Sequence, residues 1–207
     1  MNLNEWIRNR EMRGEVTFAV NDVYESLTGR SSRYLNTELS RMVKRGRIKS
    51  VYRGFYVIIP PHYALKGIIP PAYYIDRLMK HIGKPYYAAL LSAASFYGAA
   101  HQRPMRTQVM TIPPRTTVSG KDGMIDWNYR QVINEGLLIK TNTESGTMLY
   151  SCPELTAADL VQFAGSIGGY QRAATVLAEL VEQLEENRLE RIVKVATAAA
   201  LQRLGCW

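Results

Sequence analysis

The sequence predicts an α+β fold organised in two parts, and three observations lead to that prediction. Within the first sixty residues, helical apolar spacings are followed by two short stretches rich in β-branched and aromatic residues. After residue 70, helical stretches and strand-like runs mix, and further helical stretches follow toward the C-terminus. Residues 30–53 carry eight basic side chains against one acidic side chain, whereas the whole chain has a net charge of +8. Positive charge this concentrated is typical of a segment that binds a polyanion, and nucleic acid is the obvious one.

Two short helices are predicted at the N-terminus. The first covers residues 3–12, where apolar side chains recur on one face, and Gly14 follows as a C-terminal cap. Residues 17–20 form a short extended segment. Asn21 is expected to cap a second helix, which Gly29 ends.

A third helix and a hairpin complete this N-terminal part. Either Ser31 or Ser32 caps the helix, which runs to about Arg45. Residues 48–52 and 55–59 are predicted to be two strands joined by a tight turn. Three helices followed by a β-hairpin is the arrangement of a winged helix-turn-helix, in which the third helix is the recognition helix.

The third helix separates apolar from basic side chains. Leu35, Leu39 and Met42 fall at positions i, i+4 and i+7 and form one apolar stripe. Basic side chains lie on the opposite face of the helix, on its flanks and on the hairpin, and their charge suits DNA phosphates. Short polar side chains on the same surface are able to reach base edges. The candidate DNA-binding residues are Arg33, Asn36, Thr37, Ser40, Arg41, Lys44, Arg45, Lys49 and Arg53. Two alternatives stay open, because a basic cluster can be only a solvated face and some winged-helix domains mediate only protein contacts.

A domain boundary is predicted where proline is dense. The pairs Pro60-Pro61 and Pro70-Pro71 resist continuation of a strand or helix. We therefore expect a winged helix-turn-helix DNA-binding domain at residues 1–62 and an α+β domain at residues 63–207. Beyond residue 60 the charge is nearly balanced, with 15 basic against 12 acidic residues.

The second domain is predicted to hold a small sheet and several helices. Helices are expected at residues 71–82 and 85–97. Strands are expected at residues 107–112, 124–129, 137–141 and 148–152, with a turn at Ser119-Gly120 among the connections. Thr156 and Asp159 resemble a capping box that opens another helix, and residues 169–205 are expected to form two helices divided near Glu186-Asn187.

Composition argues against several classes of protein. The N-terminus has no apolar signal region, and the longest nearly apolar run is too short to span a bilayer, so a cytoplasmic protein without a membrane role is expected. Cys152 and Cys206 fit no metal spacing and are expected to be free thiols. The three histidines also form no metal motif, and His101 is most simply a hydrogen-bonded loop residue. No cofactor is therefore expected.

A nuclease is the enzymatic alternative, since DNA-binding modules are often fused to nucleases. Restriction-type active sites place an acid and a lysine two positions apart on one strand, whereas Glu135 and Lys140 are five apart and would face opposite sides. Asp126 is a further acid on a preceding strand, and Glu154 and Asp159 could pair. The sequence favours a protein that is not an enzyme.

Three segments together resemble a known family. They are VYRGFYVIIPPHY at residues 51–63, PPAYYIDRLMKHIGKPYYAALLSAASFYGAAHQ at residues 70–102 and SCPELTAADLV at residues 151–161. Their order and their position after a winged helix resemble the AbiEi family of antitoxin-regulators, which belong to type IV toxin–antitoxin systems. The resemblance covers residues 2–184, and residues 189–207 are expected to be an extension beyond it.

The resemblance implies a protein with two roles. The N-terminal domain would bind inverted repeats in double-stranded operator DNA upstream of its own operon and repress transcription. The C-terminal domain would counter a nucleotidyltransferase-like toxin, in many members without a stable complex. The resemblance transfers the DNA-contacting role to Arg33, Arg41, Lys44, Arg45, Lys49 and Arg53, and it implies no catalytic residue. The alternative is a ligand-responsive winged-helix transcription factor without a toxin partner, with its ligand in the second domain.

Overall fold

The structure is a computed structural model that describes residues 1–64, 68–100, 104–113 and 124–205. The chain divides into two compact units. The first is built chiefly from Met1–Gly83 and also takes in Asn142–Thr147, and the second contains most of the described chain from Lys84 onward. The predicted α+β class is confirmed. The boundary of the DNA-binding domain at residue 62 is a functional division and stays a prediction.

The first unit contains the predicted winged helix-turn-helix. Its elements are α1 (Leu3–Met12), β1 (Thr17–Ala19), α2 (Val20–Ser26), α3 (Ser32–Lys44), β2 (Ile48–Tyr52) and β3 (Phe55–Ile58). The strands form an antiparallel sheet in the order β1-β3-β2. After the hairpin come α4 (Pro61–Ala64), a 3₁₀ turn at Pro71–Tyr73 and α5 (Ile75–Ile82). Residues 71–82 are thus a 3₁₀ turn followed by a helix instead of one continuous helix.

Local hydrogen bonds explain where the N-terminal helices begin. The side-chain oxygen of Asn2 accepts from the backbone N–H of Glu5 at 2.9 Å, and Glu5 accepts from the N–H of Asn2 at 3.0 Å. Ser31 caps α3 by accepting from the N–H of Tyr34 at 3.3 Å, as predicted. The prediction that Asn21 caps α2 was wrong. That helix begins at Val20, because the Asp22 carboxylate accepts from the N–H of Ala19 at 2.9 Å.

The apolar stripe of α3 faces the core of the first unit. Leu35, Leu39 and Met42 are all buried, as the helical spacing predicted. They share one cluster with side chains from α1, β1, α2 and both hairpin strands, namely Leu3, Trp6, Ile7, Phe18, Val23, Leu27, Ile48 and Ile58. Because this stripe is buried, the opposite face of α3 is left toward solvent.

The second unit is built around a five-stranded sheet with the strand order β6-β5-β4-β8-β7. Its strands are β4 (Tyr86–Ala88), β5 (Thr107–Thr111), β6 (Ile125–Tyr129), β7 (Leu138–Thr143) and β8 (Gly146–Ser151). Its helices are α6 (Leu90–Phe96), α7 (Pro153–Gln162), α8 (Tyr170–Leu180), α9 (Glu186–Ile192) and α10 (Ala198–Leu204). The pairing is mixed, since β4 runs antiparallel to β5 and parallel to β8.

The prediction of one helix over residues 85–97 was wrong. Tyr86–Ala88 form the central strand β4, and the helix begins only at Leu90. All three strand residues are buried, and a short run that is apolar on every side has no period that distinguishes a strand from a helix. Leu90 has a positive φ of 54°, and this sharp turn separates the strand from α6.

Two predictions about the later helices also need correction. Thr156 and Asp159 lie inside α7, whose N-cap is Cys152, and the Thr156 hydroxyl donates to the Cys152 carbonyl at 2.9 Å. Residues 169–205 contain the three helices α8, α9 and α10 instead of two. The predicted turn at Ser119-Gly120 and the residue His101 lie outside the described residues. Cys152 is a buried free thiol, and Cys206 is also outside the described residues.

Candidate DNA-binding surface

The predicted DNA-binding residues lie on the solvent side of α3 and on the hairpin. Eight of the nine are exposed, and the remaining one, Lys49 on β2, is half-buried. Arg33, Thr37, Ser40 and Lys44 occupy the face opposite the buried stripe, as predicted. We call this face of α3, with the hairpin residue Arg53, the basic surface.

The short polar side chains of α3 are already engaged in hydrogen bonds. The Thr37 hydroxyl donates to the Arg33 carbonyl, and the Ser40 hydroxyl donates to the Asn36 carbonyl, both at 2.9 Å. Both hydroxyl protons are therefore directed into the helix, which leaves the oxygens as acceptors toward a partner. The side-chain oxygen of Asn36 accepts a hydrogen bond from the Tyr24 hydroxyl at 2.7 Å.

Ion pairs divide the cations of this segment into two groups. Arg41 pairs with Glu38 one turn earlier on α3, and Arg47 pairs with Glu11 of α1 at 3.2 Å. In the described part of the chain, no acidic side chain pairs with Arg33, Lys44, Arg45 or Arg53. These four side chains therefore carry charge that is not offset locally, whereas the charge of Arg41 is partly offset before any partner binds.

The turn of the hairpin is held against the start of α2. The Val20 N–H donates to the Gly54 carbonyl at 2.7 Å. Gly54 has a φ of +72°, and a Cβ at this position would lie 3.2 Å from Val20 Cγ1. The left-handed backbone favours glycine here, and the tight contact with the Val20 side chain adds to that preference. This contact holds the backbone next to the exposed Arg53.

A cleft of about 450 Å³ also lies in the first unit. Its walls combine apolar side chains with the Arg47–Glu11 pair; the lining residues are Arg8, Glu11, Met12, Val16, Arg47, Ile58, Pro60, Pro61 and Tyr73. A volume of this size is in the range of small-molecule sites.

The second unit contains a buried polar network that the sequence did not reveal. The Tyr87 hydroxyl donates to the Asp159 carboxylate at 2.8 Å and accepts from the Arg130 guanidinium at 2.7 Å. Arg130 also lies 3.1 Å from Asp159 and donates to the Val195 carbonyl at 2.8 Å. Burial raises the pKa of Asp159 to about 6, against the lowering effects of Arg130 and Tyr87. The sequence did contain a signal that Asp159 is buried, because Asp159 is the one acid within the otherwise apolar run AADLV.

Further side chains hold the segment after α8 in place. The fully buried Glu154 accepts from the Glu185 N–H at 2.7 Å. Gln183 donates to the Tyr97 carbonyl at 2.7 Å. Burial, with smaller effects from nearby groups, raises the pKa of the Tyr97 phenol well above its ordinary value. The segment that leads into α9 is therefore attached by side chain–backbone hydrogen bonds as well as by apolar packing.

The residues considered for a nuclease site lie in different secondary-structure elements. Asp126 on β6 pairs with Arg106 at 3.0 Å, Glu135 lies in a 3₁₀ turn at Glu135–Leu137, and Lys140 is exposed on β7. Among the residues that the structure describes, no three His, Cys, Asp or Glu side chains are placed to hold a metal ion. None of the described helices is both long enough and apolar enough to cross a membrane.

The fold defines a two-part α+β protein with an N-terminal winged helix-turn-helix. Residues 87–206, more than half of the chain, match the family described as the AbiEi antitoxin C-terminal domain. The chain therefore belongs to the AbiEi antitoxin family, as the sequence resemblance indicated. It is an antitoxin of a toxin–antitoxin system. The match extends to residue 206, so the prediction that residues 189–207 form an extension beyond the family was wrong.

A solved structure supports the fold. The crystal structure of the RV2827C protein from Mycobacterium tuberculosis superposes with a TM-score of 0.68 at 18% sequence identity, and the similarity covers 91% of this chain and 69% of that chain. At this identity the likeness shows a shared fold. No protein with curated annotation matches the chain significantly.

Proposed function

We propose that this antitoxin is a DNA-binding autorepressor of a type IV system. It binds inverted repeats in double-stranded operator DNA through α3 and the hairpin, and its second domain counters a nucleotidyltransferase-like toxin. The observation that carries the DNA-binding proposal is the set of exposed cations without an acidic partner, Arg33, Lys44, Arg45 and Arg53. Such side chains suit the regularly spaced phosphates of a duplex.

The first test measures binding of the full-length protein to its own upstream DNA over a range of salt concentrations. With roughly 4–6 phosphate contacts, log K should fall by about 4–5 per decade of salt. The double variant Arg33→Glu with Lys44→Glu should lose operator binding. Its matched control is Arg8→Glu with Arg13→Glu, which makes the same change in net charge on exposed positions of α1 or just after it. Equal losses in both variants would show that net charge acts without a defined surface.

The second test separates repression from protection. Growth is measured while the proposed nucleotidyltransferase-like toxin is induced, with the antitoxin expressed from an unrelated promoter at matched levels. The Arg33→Glu, Lys44→Glu variant should protect cells as well as the unaltered protein, whereas a version ending at residue 62 should not protect. Protection by residues 1–62 alone would refute this division of roles.

The alternative is a ligand-responsive winged-helix transcription factor. The cleft of about 450 Å³ is large enough for a small ligand, but it lies in the first unit and not in the second domain, where the sequence placed the ligand. A metabolite that shifts operator affinity at constant salt would support this function.

A further inference from the structure

Tyr24 of α2 and Asn36 of α3 meet beside the basic surface. The Tyr24 hydroxyl donates to the Asn36 side-chain oxygen at 2.7 Å. Tyr24 is half-buried and packs against the apolar cluster of the first unit, whereas Asn36 is exposed. A side chain anchored in the core thus reaches out to a polar group on the flank of the recognition helix.

The Tyr24 hydrogen bond sets the orientation of the Asn36 amide. Because the side-chain oxygen accepts from Tyr24, the side-chain NH₂ points away from Tyr24, and it donates to no group among the described residues. The oxygen keeps a second lone pair, so the amide presents one donor and one acceptor side by side. This pair of groups complements adenine in the major groove, where N7 accepts and the N6 amino group donates.

Tyr24, the anchor, packs against an apolar cluster that contains aromatic side chains. Trp6 and Phe18 pack edge to face at 5.2 Å, and Phe18 stacks on Tyr56 at 5.3 Å. Tyr24 and Tyr56 both pack against this cluster, and burial, with a smaller effect from Tyr24, raises the pKa of the Tyr56 phenol. An exposed asparagine normally loses rotamer freedom when it binds, which costs free energy. A side chain that is already held by a hydrogen bond has less freedom to lose, so the cost of binding is smaller.

We propose that Asn36 reads an adenine in the major groove of each operator half-site and that Tyr24 is its positioning residue. The inference rests on the proposed operator binding and adds a specific base and the residue that orients its reader. Asn36 is the fifth residue of α3, in the N-terminal half, where recognition helices contact bases.

The experiment selects duplexes from a randomised double-stranded DNA pool with the full-length protein, then measures affinity for the selected site and for single base-pair changes. For the unaltered protein, replacing the recognised A·T pair by G·C should weaken binding by about 5- to 150-fold. In Asn36→Ala, the ratio of the affinities for A·T and G·C should fall to about one at that position and stay unchanged at the others. Tyr24→Phe should reduce the same ratio by about 2- to 10-fold, the effect expected for one lost hydrogen bond.

Two further variants make the result specific. Tyr34→Phe removes a phenol hydroxyl from the exposed side of the same helix, where it makes no hydrogen bond among the described residues, and it should leave every ratio unchanged. Asn36→Asp keeps the acceptors but loses the donor, and it should shift preference at that position toward cytosine, whose N4 amino group donates. Melting curves establish that each variant is folded.

The outcomes separate the inference from the proposed function. The double variant Tyr24→Phe, Asn36→Ala should behave like Asn36→Ala alone, because the hydroxyl acts through the amide. Additive effects, an unchanged ratio in Tyr24→Phe, or an Asn36-dependent preference for another base pair would overturn the inference and leave operator binding intact. A full-length protein that binds no duplex in the pool would overturn the proposed function and the inference together.

Discussion

Removing Arg130 tests how much the buried polar network stabilises the second unit. The side chains of Arg130 and Asp159 are 4% and 0% exposed. In Arg130→Met, the Asp159 carboxylate would keep only the Tyr87 hydroxyl as a donor, and the Val195 carbonyl would lose its partner. An uncompensated buried charge of this kind costs about 3–5 kcal/mol of unfolding free energy. For a unit of this size, that loss corresponds to a fall in Tm of roughly 10–20 °C.

Calorimetric unfolding of the full-length protein measures this loss. The double variant Arg130→Met with Asp159→Leu should regain part of the lost stability, because it removes the unpaired charge but leaves the Tyr87 hydroxyl and the Val195 carbonyl without these partners. Arg106→Met is the matched control: Arg106 pairs with Asp126 on the surface, where both side chains are more than 40% exposed, so the change should be within about 1 kcal/mol. A double variant as unstable as the single variant would refute the reasoning, as would a loss in Arg130→Met no larger than the control.

Three further changes test the core, the hairpin and the titration of the network. Leu39→Asp should unfold the first unit, because Leu39 is 1% exposed and its carboxylate would be buried without a partner; loss of the cooperative melting transition would show this. Gly54→Ala should lower Tm more than Gly46→Ala, since both have positive φ but only at Gly54 would the new Cβ also make a tight contact, 3.2 Å from Val20 Cγ1. The pKa of Asp159 is raised by burial from 3.8 to about 6, so its protonation favours the folded state. Relative to Asp159→Asn, the unaltered protein should gain at most about 3 kcal/mol of stability as the pH falls from 7 to below 4, measured by urea unfolding, and a loss over that range would contradict the assignment.

The recognition helix was predictable because its signals are local. A capping serine, a stripe at i, i+4 and i+7 and a following hairpin all lie within about thirty residues, and the structure bears out each of them. The start of α2 was predicted wrongly because two neighbouring residues could each have capped the helix. Asn21 and Asp22 are both good capping residues, and only the structure shows that the carboxylate of Asp22 reaches the Ala19 N–H.

The second unit was harder to predict because its stabilising contacts are distant in sequence. Tyr87 and Asp159 are 72 residues apart, and Arg130 and Val195 are 65 apart, so no helical or strand period relates them. The strand β4 was missed because a central strand is apolar on both faces and lacks alternation. On the basic surface, the charge was readable from the sequence, whereas the pairing of Arg41 with Glu38 depended on which side chains the folded helix brings together.

The hydrogen bond from Arg130 to the Val195 carbonyl has a consequence for how the chain folds while it is being synthesised. A nascent chain that has been made only as far as α7 contains Arg130, Tyr87 and Asp159 but not the carbonyl that completes the network. The second unit can therefore reach its full stability only after Val195 has left the ribosome. A chain that ended before Val195 would leave the buried Arg130 guanidinium without this acceptor.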